Sequence, residues 1–212
     1  MTLQLFLLRH GQTEFSRTNR FCGEIDPPLN AVGLRMADAL ADSHGATPWT
    51  AIYCSPRTRA LQTATPLSQR ARVPIQIDDG LREIAYGDWE GLTHDEVVAR
   101  YPEAYTYWSH DPASRGTPGG ETAFKVAARA TPVIGHLRER YEDGRVLVVS
   151  HKATLRIIVC ALLGMDVRLF RERISQPVGA LTAFEITEAG ARLTLHGDVS
   201  HLPADLRALE GT

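Results

Sequence analysis

Two apolar runs, Leu3 to Leu8 and Val146 to Val149, stand out from the chain around them, and each ends abruptly on polar residues. Short continuous runs rich in Leu and Val predict strands buried on both faces, as in a parallel sheet. Leu181 to Ile186 and Arg192 to His196 bracket Glu188-Ala189-Gly190, the pattern of an antiparallel hairpin on a sheet edge. Ala51 to Cys54, Val73 to Ile77 and Leu81 to Ile84 are shorter strand candidates. Between these runs the period becomes helical. Leu34, Ala37, Leu40 and Ala41 share one face of a run that Asn30 caps and Gly45 stops. Ser55-Pro56 predicts a helix start with proline in its first turn, interrupted at Pro66. Thr93 and Glu96 have capping-box spacing, and that helix fails before Pro102. Thr122 to Glu142 is helical in pattern despite Pro132, and a helix from Lys152 to Leu163 ends at Gly164. The alternation predicts an α/β fold, a three-layer α/β/α sandwich around a mostly parallel central sheet.

The stretch from Tyr101 to Glu121 departs from this rhythm, with Tyr105, Tyr107 and Trp108 among prolines and Gly119-Gly120. It reads as a small, partly irregular cap over a crevice, within one domain spanning residues 1–212.

Composition mainly excludes. A formal charge of -2 without a basic run argues against nucleic-acid and membrane partners. The first apolar run stops at Arg9, too early for a signal sequence or a membrane span. Cys22, Cys54 and Cys160 are too scattered for a disulfide framework or a zinc site. The expectation is a cytoplasmic protein.

Chemistry gathers where the predicted strands stop. Arg9-His10-Gly11 follows the first run and Ser150-His151 the second. In open α/β sheets the ligand crevice lies beyond the carboxyl ends of the strands, so the two imidazoles are candidates to share it. With Arg9 beside His10, a phosphate is the natural target. Phosphoryl transfer is catalysed mainly by positioning and by stabilising spread negative charge. Arginine suits that task, being always charged and able to grip two oxygens. A neutral imidazole is a competent phosphoryl acceptor, and a carboxylic acid can protonate a leaving alkoxide. Arg9, His10, Arg59, Glu83 and His151 make a chemically complete set with neither metal nor cofactor. Arg57 competes with Arg59, while His44, His94, His136 and His201 read as surface or core residues without catalytic roles.

Four ordered motifs carry a resemblance: Leu8-Arg9-His10-Gly11-Gln12-Thr13, Ser55-Pro56-Arg57-Thr58-Arg59-Ala60-Leu61-Gln62-Thr63, Leu81-Arg82-Glu83-Ile84 through Tyr86-Gly87-Asp88-Trp89-Glu90-Gly91, and Ser150-His151. Together they resemble the histidine phosphatase family, which includes the cofactor-dependent phosphoglycerate mutases and many small phosphatases. The resemblance implies a phosphoglycerate mutase-like fold. It also implies His10 as the nucleophile that becomes phosphorylated, Arg9, Arg59 and His151 as the phosphate pocket, and Glu83 as general acid and later base. Thr13, Ser16, Cys22, Gly23, Tyr86 and Lys152 are the candidate substrate-binding residues.

Three departures from the family pattern matter. Ser16 stands where many members carry an asparagine that contacts the phosphate. Ser150-His151-Lys152-Ala153-Thr154 replaces a glycine pair after the histidine. At a helix start, Lys152 is either a recognition residue for a substrate carboxylate or second phosphate, or a solvated lysine. Finally, the cap reads Trp108-Ser109-His110-Asp111 where mutases carry an arginine pair, which favours water as the acceptor. Asn19-Arg20-Phe21-Cys22-Gly23 keeps a mutase-like look. The expectation is a metal-independent phosphomonoesterase for a small phosphorylated metabolite, with phosphoserine the first to try. A phosphoglycerate mutase and a non-catalytic phospho-ligand-binding protein are the alternatives, and a homodimer is a candidate assembly.

Overall fold

The computed structural model describes residues 2–207. Strand β1 (Leu3–Arg9) leads through a short helix α1 (Glu14–Arg17) to α2 (Ala31–His44), then β2 (Ala51–Cys54), α3 (Thr58–Ala71) and β3 (Ile75–Ile77). Next come α4 (His94–Arg100), α5 (Pro102–His110), α6 (Ala123–Arg140), β4 (Gly144–Ser150) and α7 (Lys152–Leu163). The chain continues with α8 (Phe170–Arg173), β5 (Leu181–Thr187), β6 (Gly190–Asp198) and α9 (Ala204–Arg207).

The sheet has six strands in the order β3-β2-β4-β1-β5-β6. The first four are mutually parallel, and β5 and β6 complete the sheet antiparallel at one edge, as the hairpin pattern predicts. Alternate residues of the central strands serve two cores. Leu3, Leu5, Leu7, Val146 and Val148 pack with the buried faces of α6 and α7, including Val126, Leu137 and Leu155. Leu8, Leu147 and Val149 pack on the opposite face against Leu40 of α2 and Ala60 and Leu67 of α3. This is the three-layer sandwich, with helices on both sides of a sheet whose middle strands show water neither face.

A separate aromatic cluster joins Trp89, Val97 and Trp108, with Phe21, Tyr101 and Tyr105 against them. It draws on residues well before Tyr101, so the aromatic residues of the 101–121 stretch supply only part of it. Within that stretch α5 is a regular helix, because Pro102 stands at its first turn where a missing N–H costs nothing.

Four local expectations are corrected. Leu81 to Ile84 is no strand: Asp78 accepts the Gly80 N–H at 2.8 Å and turns the chain into a 3₁₀ turn over Asp79–Leu81. The Arg129 guanidinium takes the carbonyls of Gly80, Arg82 and Glu83 that a strand ladder would have used. Helix α3 begins at Thr58, beyond Ser55-Pro56, because the Ser55 N–H still pairs with Val149 and Asp26 supplies the cap, accepting from the Thr58 N–H at 2.9 Å. Pro66 lies inside α3 without ending it. The Val73 to Ile77 candidate shortens to β3, while the Asn30 cap, the Thr93–Glu96 capping box and the Gly164 stop stand as read.

Candidate active site

Strands β1, β4 and β2 are neighbours, and their carboxyl ends lie almost level: Arg9 pairs with Ser150, and Cys54 with Val149. The next residue on each is His10, His151 or Ser55, so the topology sets these three side by side. The two imidazole rings are 5.1 Å apart between centroids, tilted by 60°. A tight turn follows His10. A Cβ on Gly11 would lie 2.7 Å from the carbonyl oxygen of Gly33, so only glycine lets this turn sit on the start of α2.

His10 is buried, and its Nδ1 lies 2.7 Å from the carbonyl oxygen of Gly11. A carbonyl only accepts, so Nδ1 carries the proton and Nε2 keeps its lone pair. Burial, then Arg59 and Arg9, hold the His10 pKa well below the ordinary value of 6.5. His151 is fully buried, with Nε2 2.7 Å from the Ser55 hydroxyl and Nδ1 without a hydrogen-bond partner. Burial and Arg59 push its pKa down in the same way. Both rings are therefore neutral near pH 7.

Arg9 is buried at 4 % exposure and Arg59 at 1 %, yet neither is enclosed by carboxylates. Arg9 donates to the Gln176 carbonyl at 2.7 Å, and burial lowers its pKa to about 10. Arg59 donates to the carbonyls of Ile25, Cys22 and Gly23 at 3.0–3.3 Å, with Asp26 at 3.5 Å. Arg59 thus holds the 22–26 loop around the site, whereas Arg57 lies outside the cleft wall.

Glu83 reaches the site from the segment after β3. Its carboxylate accepts the N–H groups of Ala153 and Thr154, both at 3.1 Å, and of its own neighbour Ile84 at 2.9 Å. It therefore caps α7 from about seventy residues away, in place of His151, which makes no side-chain cap. Oε1 takes the amides of Ile84 and Thr154, Oε2 takes only that of Ala153, and the Thr154 hydroxyl gives its proton to the Arg82 carbonyl at 2.6 Å.

Arg9, His10, Arg59 and Glu83 line a cleft of about 220 Å³, and His151 lies behind its wall, ring to ring with His10. Thr13, Ser16, Cys22, Tyr86 and Lys152 also line it, but Gly23 does not. Gly23 serves packing: its N–H donates to Glu90 at 2.9 Å, and a Cβ there would sit 2.0 Å from the Ile84 carbonyl oxygen. The Ser16 hydroxyl donates to the Thr13 carbonyl at 3.0 Å inside a capping box, so its proton is already committed. Cys22 donates to the Ile25 carbonyl, and burial pushes its thiol up to about 11. Lys152 is half-buried, and its pKa falls to about 7 through burial and the positive charge of Arg9 and Arg156.

The cleft wall also includes residues to which the sequence assigned no site role: Asn19, Arg20, His94, Trp108, Arg156 and Arg171. His94 is thus a cleft residue, hydrogen-bonded to the Tyr105 hydroxyl at 2.7 Å. Arg156 had an available signal, four residues after Lys152 on one helix face. Arg171 had none. Among the described residues no group of three or more His, Cys, Asp or Glu is placed to hold a metal ion, and no helix is long and apolar enough to cross a membrane.

The sequence matches the family described as the histidine phosphatase superfamily (branch 1) over residues 5–199. Phosphoserine phosphatase 1 of Hydrogenobacter thermophilus is 32 % identical over 168 residues, covering 79 % of this chain and 80 % of that protein. The glucosyl-3-phosphoglycerate phosphatase of Mycolicibacterium vanbaalenii is 37 % identical, covering 77 % and 76 %. Among solved structures, Bacillus stearothermophilus YhfR superposes with a TM-score of 0.86 at 32 % identity, covering 94 % of this chain and 98 % of that one. Over fold, motif order and sequence, the chain belongs to the histidine phosphatase superfamily (branch 1) and is a phosphoric monoester hydrolase.

Proposed function

We propose that this enzyme hydrolyses a small phosphorylated metabolite through a phosphohistidine on His10. The observation that carries the reading is the state of His10: a neutral ring whose Nδ1 proton is tied to Gly11, leaving the Nε2 lone pair free in the field of Arg59 and Arg9. Nε2 attacks phosphorus and the ester P–O bond breaks. Arg9 and Arg59 stabilise the charge on the equatorial oxygens, and His151 donates from its unpartnered Nδ1. Glu83 gives the leaving alkoxide a proton from Oε2. Water then attacks the phosphohistidine, the P–N bond breaks, and Glu83 takes the water's proton. Inorganic phosphate leaves, and enzyme and proton balance are restored.

Phosphoserine is the first substrate to try, since a carboxylate beyond the ester would meet Lys152. The names of the two relatives, which act on phosphoserine and on glucosyl-3-phosphoglycerate, support a small phosphate ester. The testing experiment is a screen of metabolite phosphates by phosphate release, repeated with a chelator. Steady release from one or more, unchanged by chelation, is the expected result. Release that requires added divalent metal overturns the mechanism.

One observation keeps a second reading in view. The cap lacks an arginine pair, but Arg156 and Arg171 bring positive charge to the cleft from α7 and α8. A mutase needs such charge to retain a phosphorylated intermediate. Interconversion of 2- and 3-phosphoglycerate faster than phosphate release would establish it.

A further inference from the structure

Apart from Arg20, which pairs with Glu96, the basic side chains of the cleft fall into two sets. Arg9 and Arg59 flank the imidazoles at the strand ends. Lys152, Arg156 and Arg171 lie along the α7–α8 side, facing Tyr86 and Trp108 of the cap. No member of the second set acts in the bond-making and bond-breaking steps described above.

Its three members are half-buried, and none has a carboxylate within 4.0 Å among the described residues. Arg156 Nε is shielded from solvent without a hydrogen-bond partner. The nearest acids are occupied or weak partners: Glu83 caps α7, and Glu172 only modestly favours the charge on Arg171. Burial lowers the pKa of all three, and positive neighbours depress Lys152 and Arg156 further. Gathering partly desolvated like charges is costly, and an anion arriving among them removes that cost.

The set is also held in place. Lys152 and Arg156 are one turn apart on α7, on the same face, so Arg156 lies about 6 Å further along the helix axis from the imidazoles. Arg171 stacks on Trp108, its Cζ 3.8 Å from the ring centroid, which fixes the guanidinium against the cap.

We propose that Lys152, Arg156 and Arg171 form a second anion subsite, and that the substrate is a phosphate monoester carrying another anionic group, carboxylate or phosphate, a few atoms from the ester oxygen. This rests on the phosphomonoesterase reading and deepens it. Phosphoryl capture at His10 and selection at the α7–α8 wall are separate functions of one cleft.

The test compares matched substrates on the wild-type enzyme at fixed ionic strength. Phosphoserine against phosphoethanolamine isolates a carboxylate, and propane-1,3-diol bisphosphate against propyl phosphate isolates a second phosphate. In at least one pair the doubly substituted member should lead in kcat/KM by roughly tenfold to 150-fold, the range of a charge-assisted contact. The leading pair names the anion. Arg156→Gln and Arg171→Gln should each pull that ratio towards one, a readout that cancels any general loss of folded enzyme. Ratios near one in both pairs, or a ratio that neither variant moves, overturn the subsite. If nothing is turned over, the hydrolase reading fails by itself. Calorimetric binding of the same four esters to His10→Ala then decides the subsite: preference for the doubly anionic members supports it, and equal affinity removes it.

Discussion

The Ser55 hydroxyl oxygen stands 2.7 Å from Nε2 of His151, at the ends of neighbouring strands. It accepts the Arg57 N–H at 3.3 Å, which leaves its own proton for Nε2 and places the ring proton of His151 on the buried, unpartnered Nδ1. Ser55 is thus a positioning residue that sets the tautomer of His151. Ser55→Ala should lower kcat/KM by about twofold to tenfold, the net worth of one hydrogen bond. In ¹⁵N spectra of the imidazoles, His151 should change from the Nδ1–H tautomer to a mixture. Unchanged spectra and rate would make Ser55 a packing residue only.

Glu83 has two duties that substitution separates. Glu83→Gln keeps an acceptor oxygen for the α7 amides but cannot donate a proton as an acid. It should slow phosphoenzyme formation from alkyl phosphates by ~10²–10⁴-fold and from nitrophenyl phosphate far less, because nitrophenolate leaves unprotonated. Glu83→Ala should also lower stability by about 0.5–2 kcal/mol through loss of the cap. Equal kinetic losses for both leaving groups in Glu83→Gln would remove the acid role.

His201 gives the fold an acid sensitivity away from the cleft. Its ring nitrogens are shielded from solvent, its ring lies 5.7 Å from that of His44, and burial lowers its pKa from 6.5 to about 4. The unfolded chain therefore binds this proton first as pH falls. The stability contribution is present above pH 6.5 and is lost as pH falls between 6.5 and about 4. His201→Leu should flatten the fall of Tm across that window by an amount on the order of a few degrees. An identical slope in the variant would show that His201 titrates alike in both states.

How much of this was legible in the sequence depends on the range of the forces involved. Buried parallel strands carry a continuous apolar signal, so β1 and β4, and with them His10 and His151, could be placed from local pattern. Caps made by neighbours could also be read, as at Asn30 and Thr93. Caps made from a distance could not. Asp26 on α3 and Glu83 on α7 are bonds between segments far apart in the chain, and the Arg129 carbonyl contacts that erase the Leu81 to Ile84 strand are of the same kind. Arg171 entered the cleft only through packing of α8 on Trp108, which has no sequence signature.

The covalent step at His10 is the centre of the account. Its test is base-quenched mass spectrometry of enzyme mixed briefly with substrate, read peptide by peptide across pH. Because burial and the flanking arginines keep His10 neutral well below pH 6.5, labelling should persist at pH 6 and fade only at lower pH, apart from the substrate's own ionisation. An acid-labile, base-stable phosphate should appear on the peptide containing His10, with neither label nor turnover in His10→Ala. Turnover retained by His10→Ala, or phosphate carried on another residue, would contradict it.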